Sequence, residues 1–241
     1  MKSLFDFSLS LLLLILFSPL LVFLSIVIFL QDYKSPFYIA QRVGKNNIIF
    51  NMVKFRTMII NAEKTGVFST KSNDNRITPI GIFIRKYKLD ELPQLYNVLI
   101  GNMSFVGPRP NVIVETDLYS KEEKKILRVK PGITDFSSII FSNEGEILEN
   151  SKDPDLTYNQ IIRPWKSRLA LFYILNQSFI LDIKLILITI LSILKREMAI
   201  KKIVNILKYY EADKTLVKIC SGEIDLKPYP PPGFSDIVKK R

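Results

Sequence analysis

Two adjacent carboxylates, Asp90 and Glu91 in the run LDELPQ, are the residues best placed to do chemistry. Because Pro93 lacks an N–H and fits only in the first turn of a helix, the run predicts a helix that begins near Leu89. There, free N–H groups and the helix dipole favour ionised carboxylates. An ionised aspartate can attack phosphorus, and its neighbour can bind magnesium or accept a proton. The pair also suits ordinary helix capping, so the residues alone leave both interpretations open.

The 241-residue chain contains no histidine, which narrows the chemistry further. A Ser-His-Asp triad and a histidine-ligated zinc site are both excluded. Any metal would be a hard cation on oxygen ligands, and Mg²⁺ beside phosphates is the leading candidate. The single cysteine, Cys220, excludes an intrachain disulfide and is typical of a reducing compartment.

Basic side chains occur in several segments around the carboxylate pair, and the formal net charge is +11. This charge suits nucleic acid, phosphorylated substrates or an acidic lipid surface. Prolines on both sides of Arg109 stiffen a guanidinium that can bind phosphate with two hydrogen bonds. If the segments converge, the expected ligand is a diphosphate; singly, each group also fits a solvated surface. The candidates for phosphate binding are Lys54, Arg85, Arg109 and Arg128.

The sequence patterns around these groups predict an α+β fold that is mainly helical. Residues 37–58 are typical of a β-hairpin with its turn at VGKNN, and residues 59–76 of a loop. Amphipathic interfacial helices are expected around a small catalytic domain, with Trp165, Lys166 and Arg168 as candidate membrane anchors. The apolar run at 178–194 fits a core helix and an interfacial helix equally. The predicted helices are 79–87, 89–99, 119–127, 164–177 and 178–194.

Residues Phe7 to Leu30 carry no charge and would form a helix about 36 Å long, enough to cross a bilayer. Ser18-Pro19 interrupts this run. Proline removes a helical hydrogen bond, and the serine hydroxyl can satisfy the freed carbonyl. The residues alone favour a kinked helix that spans the membrane over one that bends and leaves by the same face.

Several segments together resemble the bacterial sugar transferase family, the monotopic polyprenyl-phosphate phosphoglycosyl transferases. LDELPQ followed by GPRP at this spacing is highly specific, and the match covers about residues 1–196 in order. The matching segments are KFRTM (54–58), RKYKLDELPQLYNVLIGNMSFVGPRP (85–110), RVKPGITD (128–135) and SFILDIK (178–184), together with Ser18-Pro19.

The resemblance implies transfer of a sugar phosphate from a UDP-sugar to polyprenyl (undecaprenyl) phosphate, with release of UMP. This would be the first membrane step of polysaccharide, O-antigen, capsule or glycoprotein glycan assembly. Asp90 would form a covalent phosphosugar intermediate, and Glu91 would bind Mg²⁺ and assist proton removal. Lys54, Arg85 and Arg109 would surround the phosphates.

The resemblance also implies a domain plan and a location. Residues 1–33 would be a re-entrant membrane helix broken at Ser18 and Pro19, and 34–196 the catalytic domain on the cytoplasmic face of the bacterial inner membrane. Membrane lipid would be a partner and nucleic acid would not. A homodimer or downstream glycosyltransferases are further candidate partners. Residues 197–241 would form a C-terminal appendage without a counterpart in the family.

Two further departures from the family pattern concern the site. Many members carry a Ser or Thr helix cap where this chain has Lys88. Many also carry an Asn-Gly-Arg after Gly-Ile-Thr, whereas this chain continues through residues 135–138 and then Ser142-Asn143-Glu144, so that arginine has no assigned replacement. Two other functions stay open: a non-enzymatic basic membrane-anchored protein that binds acidic lipid or nucleic acid, and a bitopic scaffold.

Overall fold

The computed structural model of the protein describes residues 1–67 and 69–239. Helices dominate, and two small pairs of strands complete the predicted α+β fold. The strands are β1 (Phe37–Val43), β2 (Ile49–Phe55), β3 (Ser104–Val106) and β4 (Gly132–Thr134). The helices are α1 (Lys2–Leu30), α2 (Pro79–Lys86), α3 (Gln94–Leu99), α4 (Ile113–Asp117), α5 (Phe136–Ile140), α6 (Glu144–Ile147), α7 (Pro154–Thr157), α8 (Arg163–Asn176), α9 (Phe179–Leu194), α10 (Arg196–Tyr209) and α11 (Lys214–Ser221). Single turns of 3-10 helix cover Lys45–Asn47, Ala62–Thr65, Leu89–Glu91 and Glu123–Arg128, and a π-helical turn covers Tyr158–Ile162.

The predicted hairpin is confirmed. β1 and β2 pair antiparallel along their full lengths, which places Lys54 opposite Tyr38. The connection between the strands holds Asn46 and Asn47 at φ values of 57° and 62°. This left-handed conformation is one that asparagine tolerates better than most residues. The register of the hairpin therefore fixes where the Lys54 side chain leaves β2.

A second pair of strands, β3 and β4, lies outside the sequence-based expectations. The two strands run parallel and join the loop that carries Arg109 to the segment after Pro131. Gly107 and Gly132 allow their backbones to touch, because a Cβ on Gly132 would lie 2.1 Å from the Gly107 nitrogen. Only glycine fits at such an approach. The GPRP and KPGIT motifs are thus held against each other through their main chains.

The larger of two hydrophobic clusters among the described residues extends from β2 to α11, and the smaller packs the end of α1 against β2 and α2. α5, α8 and α9 form the centre of the larger cluster, and α10 and α11 contribute to it. Within residues 197–241, the side chains of Ala199, Ile203, Leu207 and Leu216 are at most 4% exposed. The segment that the sequence sets apart as an appendage therefore packs as part of the folded body.

The helix predicted at 164–177 is confirmed as α8, but the prediction that it anchors the protein in the interface is wrong. Trp165 is only 2% exposed and belongs to the core. Lys166 forms an ion pair with Glu144, and Arg168 lies over the Trp165 ring. An amphipathic pattern with a tryptophan fits a core-facing helix as well as a membrane helix, which is why the sequence misled.

The apolar run at 178–194, which fitted a core helix and an interfacial helix equally, has features of both in the structure, where it forms α9. Leu181, Leu185 and Ile188 are buried on one face. Leu187 and Ile190 are 60% and 57% exposed on another. The helix therefore contributes to the core and also presents an apolar surface.

α1 is one continuous helix, so the predicted break at Ser18-Pro19 is wrong as a break in secondary structure. Pro19 leaves the Ile15 carbonyl without its usual donor. The Ser18 hydroxyl donates to that carbonyl at 2.8 Å. Because the freed acceptor is satisfied within the same turn, the helix continues through the proline.

The same helix lies against the body along its length. By length and composition it could cross a membrane, although no membrane is part of the structure. Asp6 and Ser10 near its start, and Leu24 and Ile28 near its end, are buried. The remaining faces are apolar and exposed, as at Ile15, Leu16, Val22, Phe23 and Ile26.

Both ends of α1 are fastened to the body by charged groups. The Lys2 ammonium donates to Asp182 at 2.7 Å and to the Tyr173 hydroxyl at 2.8 Å. Just beyond the other end, Asp32 forms a two-pronged ion pair with Arg56 at 2.6 and 2.7 Å. α1 is therefore held by residues of α8 and α9 at one end and by the segment after β2 at the other.

Candidate active site

Asp90 and Glu91 lie in the 3-10 turn Leu89–Glu91, at the corner between α2 and α3. The predicted α-helical start is wrong in detail, since α3 begins only after Pro93. Lys88 explains the difference. It adopts a left-handed conformation, with φ at 54°, and no side-chain capping bond forms there. The pair therefore projects from a sharp corner of the chain.

α3 is fastened to β2 by Asn97, which is fully buried. Its Oδ1 accepts a hydrogen bond from one backbone N–H of β2 at 2.9 Å, and its Nδ2 donates to a backbone carbonyl at 2.7 Å. The clamp places Lys54 beside the carboxylates. The Lys54 ammonium lies 3.1 Å from Glu91 Oε1 and 3.8 Å from Asp90 Oδ2.

Arg109, from the loop after β3, contacts the same carboxylate. Its Nη2 donates to Glu91 Oε1 at 2.6 Å. Glu91 is thus paired with two cations through one oxygen. In the part of the chain that the structure describes, Asp90 has a single ion pair, the 3.8 Å contact with Lys54. The two neighbouring carboxylates therefore have unequal surroundings.

These surroundings shift the pKa values of the two carboxylates in opposite directions. Burial raises the pKa of Asp90, and the Glu91 charge adds to the rise while Lys54 opposes it. Burial would raise the pKa of Glu91 as well, but Arg109 and Lys54 outweigh it and hold that pKa well below its usual range. Environments that separate the pKa values of two close carboxylates are typical of sites with divided chemical roles. Glu91 stays ionised, and Asp90 is the group whose charge responds to its surroundings.

The other predicted cations are partly brought together. Arg85 donates to the Thr57 hydroxyl at 2.8 Å, and its charge interacts with Asp90 and Glu91. Arg128 is exposed at the end of the 3-10 turn Glu123–Arg128, and among the described residues no ion pair joins it to the carboxylates. Its role in phosphate binding stays a prediction.

A cavity opens beside Arg109 and runs toward α8. Tyr158 and Lys166 form part of its far wall, and the Lys166 ammonium lies 5.2 Å from the centre of the Tyr158 ring. Lys166 is also paired with Glu144, whose charge interacts with Arg109. The cavity thus joins the carboxylate corner to a wall rich in hydroxyl and charged groups. Its other lining residues are Pro108, Asn111, Tyr119, Ile126, Asp135, Ser137, Arg163, Ser167 and Ala170.

The sequence did not reveal the residues that support the site from neighbouring elements. Asn97 and the cavity wall at Tyr158 carry no motif that marks them. Lys88 is visible in the sequence as one of the basic residues just upstream of the carboxylate pair and as a missing cap. In the structure it is a further cation of the site, because its charge interacts with Glu91, Asp90 and Asp135. The acidic SNE run at 142–144 was the one signal that could have drawn attention to Glu144.

The carboxylates of the site fit a magnesium ion that is bound partly by protein and partly by substrate phosphates. Among the described residues no group of three or more metal-binding side chains occurs, so a cage built from protein alone is absent there. Mg²⁺ is commonly held by one or two carboxylates together with substrate phosphates. In the described structure Glu91 Oε1 accepts both hydrogen bonds to that carboxylate, from Lys54 and Arg109. Oε2 of Glu91 is then the oxygen that can take a cation.

The chain resembles several characterised and uncharacterised bacterial proteins. It is 34% identical to the UDP-N-acetylgalactosamine-undecaprenyl-phosphate N-acetylgalactosaminephosphotransferase of Aeromonas hydrophila, over 74% of this chain and 40% of that protein. It is 37% identical to the undecaprenyl-phosphate glucose phosphotransferase of Komagataeibacter xylinus, over 78% of this chain and 35% of that protein. It is 34% identical to the uncharacterized sugar transferase EpsL of Bacillus subtilis, over 82% of this chain and 89% of that protein.

The chain spans less than half the length of the first two relatives and most of the third. The match to the family itself covers residues 1–196, which include the carboxylate corner, the GPRP loop and α9. The resemblance stated from the motifs is confirmed, and this chain belongs to the bacterial sugar transferase family.

Proposed function

We propose that the protein transfers a sugar phosphate from a UDP-sugar to polyprenyl phosphate, with release of UMP. The proposal agrees with the activities of two relatives, which are named as undecaprenyl-phosphate sugar phosphotransferases. Those names give two different sugars, N-acetylgalactosamine and glucose, so family membership leaves the sugar open. The expected place of the reaction is an early membrane step of polysaccharide or related glycan assembly.

One observation carries the proposal: Asp90 and Glu91 are adjacent but unequally paired. Glu91 is bound by Lys54 and Arg109 at 3.1 and 2.6 Å, which fixes its position and charge. Among the described residues Asp90 has a single ion pair, at 3.8 Å, so its carboxylate is the more available of the two to a substrate. Two further cations, Arg85 and Lys88, act electrostatically on the pair. A carboxylate nucleophile among fixed cations suits attack on a diphosphate.

The reaction then has two displacements at one phosphorus. An Asp90 oxygen bonds to the sugar-bearing phosphorus, the bond from that phosphorus to the bridging oxygen breaks, and UMP leaves with the electron pair. A phosphate oxygen of the polyprenyl phosphate next attacks the same phosphorus and displaces Asp90 as a free carboxylate. Lys54, Arg85 and Arg109 hold the phosphate oxygens in both steps. Mg²⁺, bound by Glu91 and phosphate oxygens, would neutralise charge on the diphosphate.

The experiment is a UMP-release assay with Mg²⁺, undecaprenyl phosphate and a panel of UDP-sugars. One UDP-sugar should release UMP, and Asp90→Asn should stop release while the protein remains folded by circular dichroism. Lys201→Met, on the exposed face of α10, is the matched control and should keep full activity. Full activity of Asp90→Asn would refute the assignment of the nucleophile.

The attachment of both ends of α1 to the body supports a re-entrant membrane helix. A straight helix of this length measures about 42 Å, so a spanning α1 would separate Lys2 from a cytoplasmic body by the whole bilayer. The Lys2–Asp182 and Asp32–Arg56 ion pairs instead hold both ends on one body. We propose that α1 dips into the cytoplasmic leaflet of the inner membrane as a continuous helix, with both ends at the cytoplasmic face and its exposed apolar faces in lipid.

Cysteine labelling tests this topology. Burial raises the pKa of the native Cys220 thiol to about 12, so it should resist a maleimide reagent. A new thiol at the exposed Ser3, made by Ser3→Cys, should react in inverted vesicles and stay unlabelled in intact cells. Labelling from the periplasmic side only would overturn the re-entrant arrangement.

A further inference from the structure

Residues 224–239 form an extended segment after α11, which we call the C-terminal strap. It lies beyond the part of the chain that matches the family. Three hydrogen bonds attach it to Ser120 and Gln160. The Tyr229 N–H donates to the Gln160 carbonyl at 2.9 Å, the Gln160 side-chain amide donates to the Val238 carbonyl at 2.8 Å, and the Ser120 hydroxyl donates to the Pro232 carbonyl at 2.5 Å.

An aromatic stack adds to these bonds. The Tyr229 ring lies 4.7 Å from the Trp165 ring. The Arg168 guanidinium sits 4.8 Å from the Tyr229 ring and 5.2 Å from the Trp165 ring, and it also donates to the Pro230 carbonyl at 3.1 Å. Such cation–π contacts are strongest for partly desolvated arginine and tryptophan. The strap is therefore bound by specific contacts to the first turns of α8.

The segment under the strap is the π-helical turn Tyr158–Ile162. Such turns are rare and occur frequently at functional sites, because the extra residue per turn weakens the regular helix. Tyr158 of this turn lines the cavity beside Arg109. Gln160, two residues on, makes the two hydrogen bonds to the strap. The π-helical turn therefore lines the cavity through Tyr158 and binds the strap through Gln160.

The third attachment reaches a second wall of the same cavity. Ser120 donates its hydroxyl to the strap, and its N–H donates to Glu123, which is fully buried. Glu123 in turn accepts hydrogen bonds from Arg163 at 2.6 Å and Ser167 at 2.7 Å. Arg163 and Ser167 both line the cavity. The strap therefore contacts two segments that support lining residues of the cavity beside Arg109.

We infer that the C-terminal strap positions the cavity wall for the nucleotide-sugar donor, by bracing the π-helical turn and the Ser120–Glu123 segment from behind. This inference rests on the proposed function, in which the donor's diphosphate lies at Arg109. Tyr229 is on this account a positioning residue, since it acts on the donor through Tyr158 and α8. The strap then supports the donor site from behind without lining the cavity itself.

The test compares Tyr229→Ala with Tyr229→Phe in the full chain. Tyr229→Ala loses the ring stack and the cation–π contact, and we expect it to weaken UDP binding, measured by calorimetry, about tenfold. With the donor found in the UDP-sugar panel, KM should rise by a similar factor while kcat stays within about twofold, since Asp90 is untouched. Tyr229→Phe retains the ring and should restore wild-type values. Tyr209→Ala, an exposed tyrosine on α10, is the matched control.

Two measurements report the strap itself. Trp165 is the only tryptophan of the chain, so its emission should change when Tyr229 leaves its ring. Hydrogen exchange at residues 158–162 of the unliganded protein should accelerate in Tyr229→Ala. A second variant that ends at Glu223 removes the strap entirely and should reproduce both changes and the weaker UDP binding.

The outcomes separate the two claims. If emission and exchange show a released strap but UDP binding and KM are unchanged, the inference is overturned. It is equally overturned if the chain that ends at Glu223 exchanges at 158–162 as slowly as the full chain. If no UDP-sugar is turned over by the wild type, the proposed function fails, and the exchange data still decide whether the strap braces the turn.

Discussion

Replacing Lys2 by methionine probes how α1 is joined to the body. The Lys2 ammonium makes three hydrogen bonds, to Val106, Tyr173 and Asp182, at 2.7 to 2.8 Å. The Asp182 carboxylate is only 6% exposed, whereas the Lys2 side chain is 35% exposed. Methionine keeps the length and apolar character of the stem but removes the charge. Within residues 1–67 and 69–239, the Asp182 carboxylate then retains one side-chain partner, the Tyr173 hydroxyl, which donates to it at 2.6 Å.

The size of the effect follows from this burial. Removing one partner of a fully buried pair costs about 3–5 kcal/mol. Because a third of the Lys2 side chain is exposed to solvent, which screens the pair, we expect a loss of about 2 kcal/mol. For a chain of this length that loss lowers the unfolding midpoint by about 4–8 °C. Combining Lys2→Met with Asp182→Asn should cost less than the sum of the single changes, since the orphaned charge disappears.

Thermal unfolding of the protein in lipid nanodiscs measures the effect. Lys201→Met serves as the control, because Lys201 is exposed on α10 and should leave the midpoint unchanged. A helix that crossed the bilayer would carry Lys2 away from Asp182. In that case Lys2→Met would melt with the wild type and the double variant would match Asp182→Asn, which would refute the reasoning.

Two other variants test the site and its support. Glu91→Gln removes the negative neighbour that helps to raise the pKa of Asp90. Because Asp90 attacks as the ionised form, activity is present above its pKa and is lost as the pH falls through it. The acid limb of kcat/KM for UMP release should therefore move to lower pH, and a limb that stayed in place or moved up would contradict the pairing. Arg163→Met strands the fully buried Glu123 and should destabilise the protein by about 3–5 kcal/mol. Adding Glu123→Gln should recover part of this loss in the unfolding midpoint, and an unchanged midpoint in Arg163→Met would show that the pair contributes no stability.

Local patterns in the sequence predicted the parts of the fold that depend on neighbouring residues. The hairpin followed from two β-rich runs around VGKNN, and α2 from Pro79 ahead of an amphipathic run. The carboxylate pair and Arg109 were found because prolines restrict the chain beside them. Lys54 and Arg109 do meet Glu91 in the structure, as the convergence of basic segments implied.

Features that depend on distant contacts were outside the reach of the sequence. The parallel β3–β4 pair joins residues far apart in the chain through two glycines, and neither strand is long enough to show a pattern. The start of α3 was displaced because Lys88 occupies a left-handed conformation that its own residue type does not favour. Trp165 was assigned to the membrane because an amphipathic helix carries no mark that tells lipid from the protein's own core.

The central claim is that Asp90 becomes covalently bonded to the sugar phosphate, and intact mass spectrometry tests it most directly. The protein is mixed with the active UDP-sugar and Mg²⁺ without polyprenyl phosphate, then quenched in acid. The account predicts a mass increase equal to one sugar phosphate on the wild type, localised to the peptide that contains Asp90, with an equivalent of UMP released. Adding undecaprenyl phosphate before the quench should remove the adduct, and Asp90→Asn should never form it. UMP release that required the acceptor, or an adduct that persisted in Asp90→Asn, would contradict the account.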